Sequence, residues 1–168
     1  MLFSQKPAHQ KRKEFRESLK TSKLHQFPGA FSPIVSMMIE QLGFDGVYVS
    51  GAVLSNDLGL PDIGLTTMTE VGQRARAITR TTELPTIVDA DTGFGEPMNL
   101  ARTIQEFEEL GLAGCHIEDQ INPKRCGHLD GKQIVDSKTM CQRVRAAADA
   151  KRDSNFLVIA RTDARGVE

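Results

Sequence analysis

Apolar residues recur along this chain in two alternating rhythms. Short runs rich in β-branched residues read as strands: "GVYVSG" at 46–51, "PTIVDAD" at 85–91, "GCHIED" at 114–119 and "NFLVIARTDA" at 155–164. "LHQFPGA" at 24–30 is a weaker first strand. Between the strands, apolar positions fall three and four apart, the period of a helix face. Ser32-Pro33 opens the first such helix, with Ile34, Met37, Met38 and Leu42 as its face and Gly43 as its stop. Thr67 with Glu70 forms a capping box for the second. Pro97 begins the third, where Leu100, Ile104, Phe107 and Leu110 form a stripe before Gly111. Ser137 is expected to cap the fourth, which carries Met140, Val144 and Ala147.

Strands alternating with helices make a βα series, hence an α/β fold with a parallel sheet buried on both faces. Two architectures compete, a doubly wound open sheet and a (β/α) barrel. No Gly-rich phosphate turn follows the first strand, which weakens the dinucleotide-binding form. Residues two apart on a strand share a face. Tyr48 pairs in this way with Ser50, Asp89 with Asp91, His116 with Glu118, and Arg161 with Asp163. Each set is polar at the C-terminal end of its strand, where a barrel carries its active site. A closed barrel takes eight strands and roughly 250 residues. The 168 residues here supply about five βα units. The expectation is therefore the N-terminal portion of a (β/α)8 barrel, a fragment or a piece that borrows strands from another chain.

Composition narrows the picture. The chain is 39% hydrophobic and 26% charged with net charge -1, so it suits one globular domain and gives no reason to expect nucleic acid or an anionic membrane as partner. The basic run from Lys6 to Lys23 is broken by Glu14 and Glu17. It reads as a solvated leader helix over 1–23 ahead of a barrel portion over 24–168, with a transit peptide as the alternative. No stretch resembles a membrane span. Three cysteines without framework spacing point to a reducing compartment, and Cys115 and Cys141 read as packing residues.

Candidate chemistry lies in two loops. "DADTGFG" at 89–95 places two carboxylates on one face before a glycine-loosened turn. Their mutual repulsion is relieved by a divalent cation, and all-oxygen donors favour Mg²⁺, with Mn²⁺ as a substitute, over Zn²⁺. Glu118 on the next strand would join them as a ligand through water, or pair with a buried cation. "NPKRCGHLDG" at 122–131 sets Cys126 among Lys124, Arg125 and His128, and neighbouring cations favour a thiolate. A cysteine above a carboxylate-bound metal suits proton donation to a carbanion-like product.

"GVYVSGA", "GLPDIG", "VDADTGFG", "HIEDQ", "KRCGH" and "ARTDA", in this order and spacing, resemble the isocitrate lyase and phosphoenolpyruvate mutase superfamily. The cysteine loop is specific to its carbon–carbon lyases, among which the chain resembles the 2-methylisocitrate lyases from about residue 25 onward. The resemblance implies that Asp89 and Asp91 hold Mg²⁺, with Glu118 assisting through water. It implies that Ser50, Gly51 and Ala52 bind the carboxylate end of the α-keto fragment, with Tyr48 near its oxygen as a candidate for the catalytic base that takes the hydroxyl proton, and Arg161 as an anion partner. Asp62 would belong to the outer metal and substrate network. Cys126 would be the catalytic acid/base, Gly127 and His128 would bind the succinate portion, and Lys124 would support the loop.

The implied reaction is retro-aldol cleavage of 2-methylisocitrate, a small tricarboxylate, to pyruvate and succinate, the lyase step of propionate catabolism in the methylcitrate cycle. Ala52, where isocitrate lyases carry tryptophan, favours the methylated substrate. The alternatives are an isocitrate lyase, a phosphonate or keto-acid mutase or hydrolase, and an inactive half-barrel with an interaction role. The family's tetramers imply self-association. Cytoplasm is the expected location, with the mitochondrial matrix of fungal relatives as the alternative.

Overall fold

The computed structural model describes residues 3–167. Among the described residues ten α-helices and strands follow in order, with a 3-10 turn at Ala164–Gly166 after them: α1 (Ala8–Ser18), α2 (Pro33–Gln41), β1 (Val47–Val49), α3 (Gly51–Asp57), α4 (Met68–Thr79), β2 (Thr86–Asp89), α5 (Pro97–Glu109), β3 (Gly114–Glu118), α6 (Ser137–Ala150) and β4 (Leu157–Arg161). The strands lie side by side as β1-β2-β3-β4, all parallel. A doubly wound sheet reverses its strand order at the ligand crevice. This sheet does not reverse, so it forms an arc of a barrel.

The weak first strand is a correction to the sequence reading. Residues 24–30 contribute a single parallel bridge, Gly29 to Tyr48, made by Ala30 N–H on Tyr48 O and Tyr48 N–H on Pro28 O. Pro28 has no N–H to extend the ladder, so pairing stops there. The first of the five βα units is therefore a bridge, followed by four strands.

Alternation along the strands separates two environments. Val47, Val49, Val88, Cys115 and Ile117 are fully buried against Val71, Ala75, Ile78, Leu100, Ile104 and Phe107 of the helices. The opposite face carries Ile87 and Tyr48 low in the barrel, packed with Phe15 of α1, Ala113 and Leu157. Of the α5 stripe, Leu100, Ile104 and Phe107 are buried as its period requires, and Leu110 at the C-cap is half-buried. The capping box at α4 is complete, with Glu70 N–H donating to Thr67 Oγ1 and Thr67 N–H to Glu70 Oε2. Thr67→Ala is expected to lower the unfolding free energy by about 1 kcal/mol, read as a fall in urea midpoint with unchanged slope.

Three other expectations change. On α2, Ile34, Met37, Met38 and Leu42 are exposed, while Ser36 and Ile39 are buried. Both sides of this helix are apolar, and the small Ser36, whose hydroxyl lies 3.0 Å from Thr81 Oγ1, lets the backbones approach. Asp136, not Ser137, caps α6, its carboxylate accepting from Thr139 N–H at 2.8 Å. Cys115 is buried as expected, but Cys141 is exposed on α6.

The leader helix is not solvated on every side. Lys11 and Arg12 are buried with Phe15 beneath the sheet. The Lys11 ammonium donates to Thr79 O and Thr82 O, and Arg12 donates to Leu112 O and Glu108 O while pairing with Asp153. These cations satisfy carbonyls left free at loop and helix ends. Among the described residues no helix is long and apolar enough to cross a membrane.

Candidate active site

The polar residues singled out on the strands meet at the C-terminal mouth of the arc. Register does much of this work, since Asp89 lies opposite His116 and Glu118 opposite Arg161. Three linked groups result. Tyr48 Oη lies 2.6 Å from His116 Nε2, with the rings stacked, and His116 Nδ1 is 3.6 Å from Asp89 Oδ1. Burial holds the His116 pKa down, favouring the neutral imidazole over the imidazolium. Burial and the Asp89 carboxylate raise the Tyr48 pKa well above the ordinary phenol value, which keeps that proton in place.

In the second group Arg161 reaches both Glu118 Oε2 at 3.3 Å and Asp163 Oδ1 at 3.0 Å. Glu118 is 1% exposed and its Oε1 has no hydrogen-bond partner. Burial, reinforced by Asp89 and offset only partly by Arg161, pushes its pKa up to about 8.

The third group contains the two loops. Lys124 Nζ lies 2.5 Å from Asp62 Oδ1 and 2.6 Å from Asp91 Oδ1. Burial works against this ammonium, yet Asp91 and Asp62 hold its pKa above the ordinary range. Asp91 nevertheless stays raised, to about 6, because burial and the adjacent Asp89 outweigh the lysine. Asp91 adopts φ +47°, a left-handed conformation that aspartate tolerates better than most residues. Its N–H donates to Asp89 Oδ1 at 3.0 Å, which turns the two carboxylates to one side of the chain.

Gly51 opens α3 beside them. A Cβ there would sit 3.0 Å from Asp89 Oδ2 and 3.3 Å from Asp91 Oδ1, so glycine leaves that corner clear. Ser50 caps α3 with its hydroxyl, and Ala52 is half-buried on the same turn.

Among the described residues no three His, Cys, Asp or Glu side chains converge into a ready ligand cluster. Asp89 and Asp91 lie together, whereas Glu118 faces Arg161. Two adjacent carboxylates, a clear corner at Gly51 and an orphaned buried Glu118 oxygen fit a hard cation that keeps several water or substrate ligands.

The cysteine loop departs from its expected electrostatics. Its two fixed cations do not surround the thiol. Lys124 turns down to the aspartates, and Arg125 Nη1 donates to Asp130 O. The thiol's polar neighbour is His128, with Cys126 Sγ 3.6 Å from Nδ1. Cys126 N–H donates to Asp62 O at 3.0 Å, anchoring the thiol residue to the residue that holds Lys124. Gly127 passes so close to the Arg161 guanidinium that a Cβ would collide with it. His128 is exposed.

Sequence reasoning gave no role to His116, Asp163 or Gln120. Face alternation marked the first two as polar and inward. Gln120 lies beyond the strand end, and nothing in its surroundings announces that its side chain brackets Arg125 N–H and O while also reaching Asp163. A cavity of about 660 Å³ beside this mouth shares only Asp91 and Lys124 with the three groups; threonines and asparagines make up much of the rest of its lining, with Arg102, Met68, Phe94 and Pro123 among them. Geometry, not cavity size, locates the candidate site.

A parallel βα arc whose strand ends gather carboxylates, one histidine and one arginine, under a loop bearing a thiol, is part of a barrel enzyme fold. A family model for phosphoenolpyruvate phosphomutase matches residues 15–166, and the chain belongs to that family. It is 60% identical over 158 residues to a probable 2-methylisocitrate lyase 1 of Corynebacterium glutamicum, covering 94% of this chain and 52% of the relative. It superimposes on oxaloacetate acetylhydrolase in complex with 3,3-difluorooxalacetate with a TM-score of 0.89 at 37% identity, over 95% of this chain and 56% of the other. Phosphonopyruvate hydrolase in complex with oxalate and Mg²⁺ gives 0.85 at 32% identity, over 92% and 53%. The chain spans about half the length of these relatives.

Proposed function

We propose that this chain is the N-terminal portion of a Mg²⁺-dependent carbon–carbon lyase that cleaves 2-methylisocitrate to pyruvate and succinate. The observation that carries the reading is the junction at Asp62, which ties the Cys126 backbone and the Lys124–Asp91 pair together. It brings a thiol loop next to paired carboxylates, as a lyase with a cation at one end of its substrate requires. The 60% identity to a probable 2-methylisocitrate lyase supports the substrate class, and the Mg²⁺ carried by the phosphonopyruvate hydrolase complex supports the metal.

Asp89 and Asp91 would hold the cation, with Glu118 behind them. Mg²⁺ would supply Lewis-acid stabilisation of the oxygen on the keto-acid fragment. The chain's own groups do the rest. Arg161 and the N-terminal turn of α3 at Ser50, Gly51 and Ala52 would bind carboxylate. Tyr48, with its proton held firmly, is a hydrogen-bond donor rather than a base in its resting state. Once the substrate hydroxyl has passed its proton to water, the C–C bond breaks: the alkoxide oxygen closes to the pyruvate carbonyl, and the bonding pair passes to the succinate carbon. The Cys126 S–H then protonates that carbon, leaving a thiolate beside His128.

The test is an assay of the complete polypeptide against 2-methylisocitrate, isocitrate and phosphonopyruvate, following release of pyruvate and succinate together. Efficient turnover of the first substrate supports the proposal. Preference for isocitrate, or cleavage of phosphonopyruvate without succinate formation, contradicts it.

A further inference from the structure

The lysine two residues before the thiol is buried at 3% exposure, with its ammonium between Asp62 and Asp91, the second of which belongs to the proposed cation site. We infer that Lys124 is an internal counter-ion and a positioning residue: its ammonium and a divalent cation compete for Asp91, so cation arrival shifts the cysteine loop. The inference rests on the cation reading above.

Asp91 Oδ1 faces the Gly51 corner and also takes the Lys124 ammonium at 2.6 Å. A divalent charge beside Asp89 and Asp91 therefore lies close to a fixed positive charge. Burial weakens solvent screening, so the two repel strongly. Asp62 transmits the consequence. Its carboxylate holds the Lys124 side chain, and its carbonyl holds the Cys126 N–H. The loop's other ties are Thr92 Oγ1 on Asn122 Oδ1 at 2.8 Å, Gln120 around Arg125, and Lys132 on Gly127 O and Leu129 O. Displacing Lys124 thus changes the side-chain contact that joins the thiol loop directly to the Asp91 carboxylate. Such linkage is reciprocal, so whatever removes the ammonium favours the cation.

The opposite arrangement, in which Lys124 merely supports the site, makes a contrary prediction, because a structural defect weakens binding. The experiment measures Mn²⁺ binding by electron paramagnetic resonance to the chain and its Lys124→Met variant at alkaline pH. Lys124→Met is expected to bind Mn²⁺ about tenfold more tightly, within the usual range of coupling between sites. Lys124→Arg, which keeps the charge, is expected to resemble the parent. Weaker or unchanged binding by Lys124→Met overturns the inference.

A second measurement does not depend on that variant's folding. In a Cys141→Ser background, which removes the exposed thiol, saturating Mn²⁺ should accelerate modification of Cys126 by a disulfide reagent severalfold, and excess chelator should reverse it. A rate indifferent to bound Mn²⁺ overturns the inference. Failure of parent and variant alike to bind Mn²⁺ is a different result, and it removes the cation reading together with the inference.

Discussion

Cys126→Ser, introduced into the polypeptide that carries the complete barrel, is expected to lower pyruvate release from 2-methylisocitrate by about 10²–10⁴-fold, the usual value of a positioned proton donor. Divalent-cation affinity should not change. The hydroxyl is smaller than the thiol and a far weaker acid, so it cannot deliver a proton to the nascent carbanion at the same rate. Its backbone contact to Asp62 O survives the change, because that contact uses the N–H. Steady-state kinetics and Mn²⁺ titration on the same preparation separate the two effects. Near-normal turnover would remove the cysteine from the mechanism. A parallel loss of cation binding would make its role structural.

The second large effect is a stability that depends jointly on pH and cation. Glu118 and Asp91 have folded-state pKa values raised from 4.5 to about 8 and from 3.8 to about 6, mainly by burial. A raised carboxyl pKa means that the folded state retains a proton which the unfolded state releases. The associated stability is fully present below the unfolded value and disappears as pH rises through the folded value. Without divalent cation, the stability contributed by these two carboxyls should therefore fall from about pH 4 to about pH 8, by on the order of a few kcal/mol. The lowered His116 pKa contributes with the opposite sign in the lower part of that window. Each kcal/mol corresponds to roughly 2–4 °C in Tm for a chain of this size.

Excess Mg²⁺ binds the ionised carboxylates, so it should raise Tm clearly above pH 8 and hardly at all near pH 5. Calorimetric scans with Mg²⁺ and with chelator at both ends of the window check this. Stability that increases across the window, or an Mg²⁺ effect equal at both ends, contradicts the assigned environments of Glu118 and Asp91.

Much of the site was legible because strand alternation is rigid. Once residues 85–91 and 114–119 are read as strands, Asp89, His116 and Glu118 can only share one face; Asp91 lies past the strand end, and its left-handed turn, not alternation, brings it back beside Asp89. Parallel register then sets Asp89 against His116 and Glu118 against Arg161. Helix faces were less legible where both sides are apolar. On α2 the longer stripe, Ile34 to Leu42, lost to Ser36 and Ile39, because small and β-branched residues permit the closer approach to α4.

Long cationic side chains were the least legible. Proximity in sequence placed Lys124 and Arg125 around the thiol, but their four-carbon and guanidinium reach takes them to Asp91 and Asp130 instead. Lys11 and Arg12 were read as solvated for the same reason. Their partners are carbonyls about 70 to 100 residues away, on the underside of the sheet. Charge patterning says that a cation needs a partner, and only the fold says which.

The account depends on one shared pocket for the Asp89–Asp91 carboxylates and the Cys126 sulfur. The direct measurement uses the Cys141→Ser chain with a carbon-13 methylthio label on Cys126, observed by NMR during Mn²⁺ titration. One equivalent of Mn²⁺ is expected to broaden the label beyond detection, chelator to restore it, and Asp91→Asn to prevent the broadening. A label that stays sharp while Mn²⁺ is bound would place the metal and the thiol in separate sites.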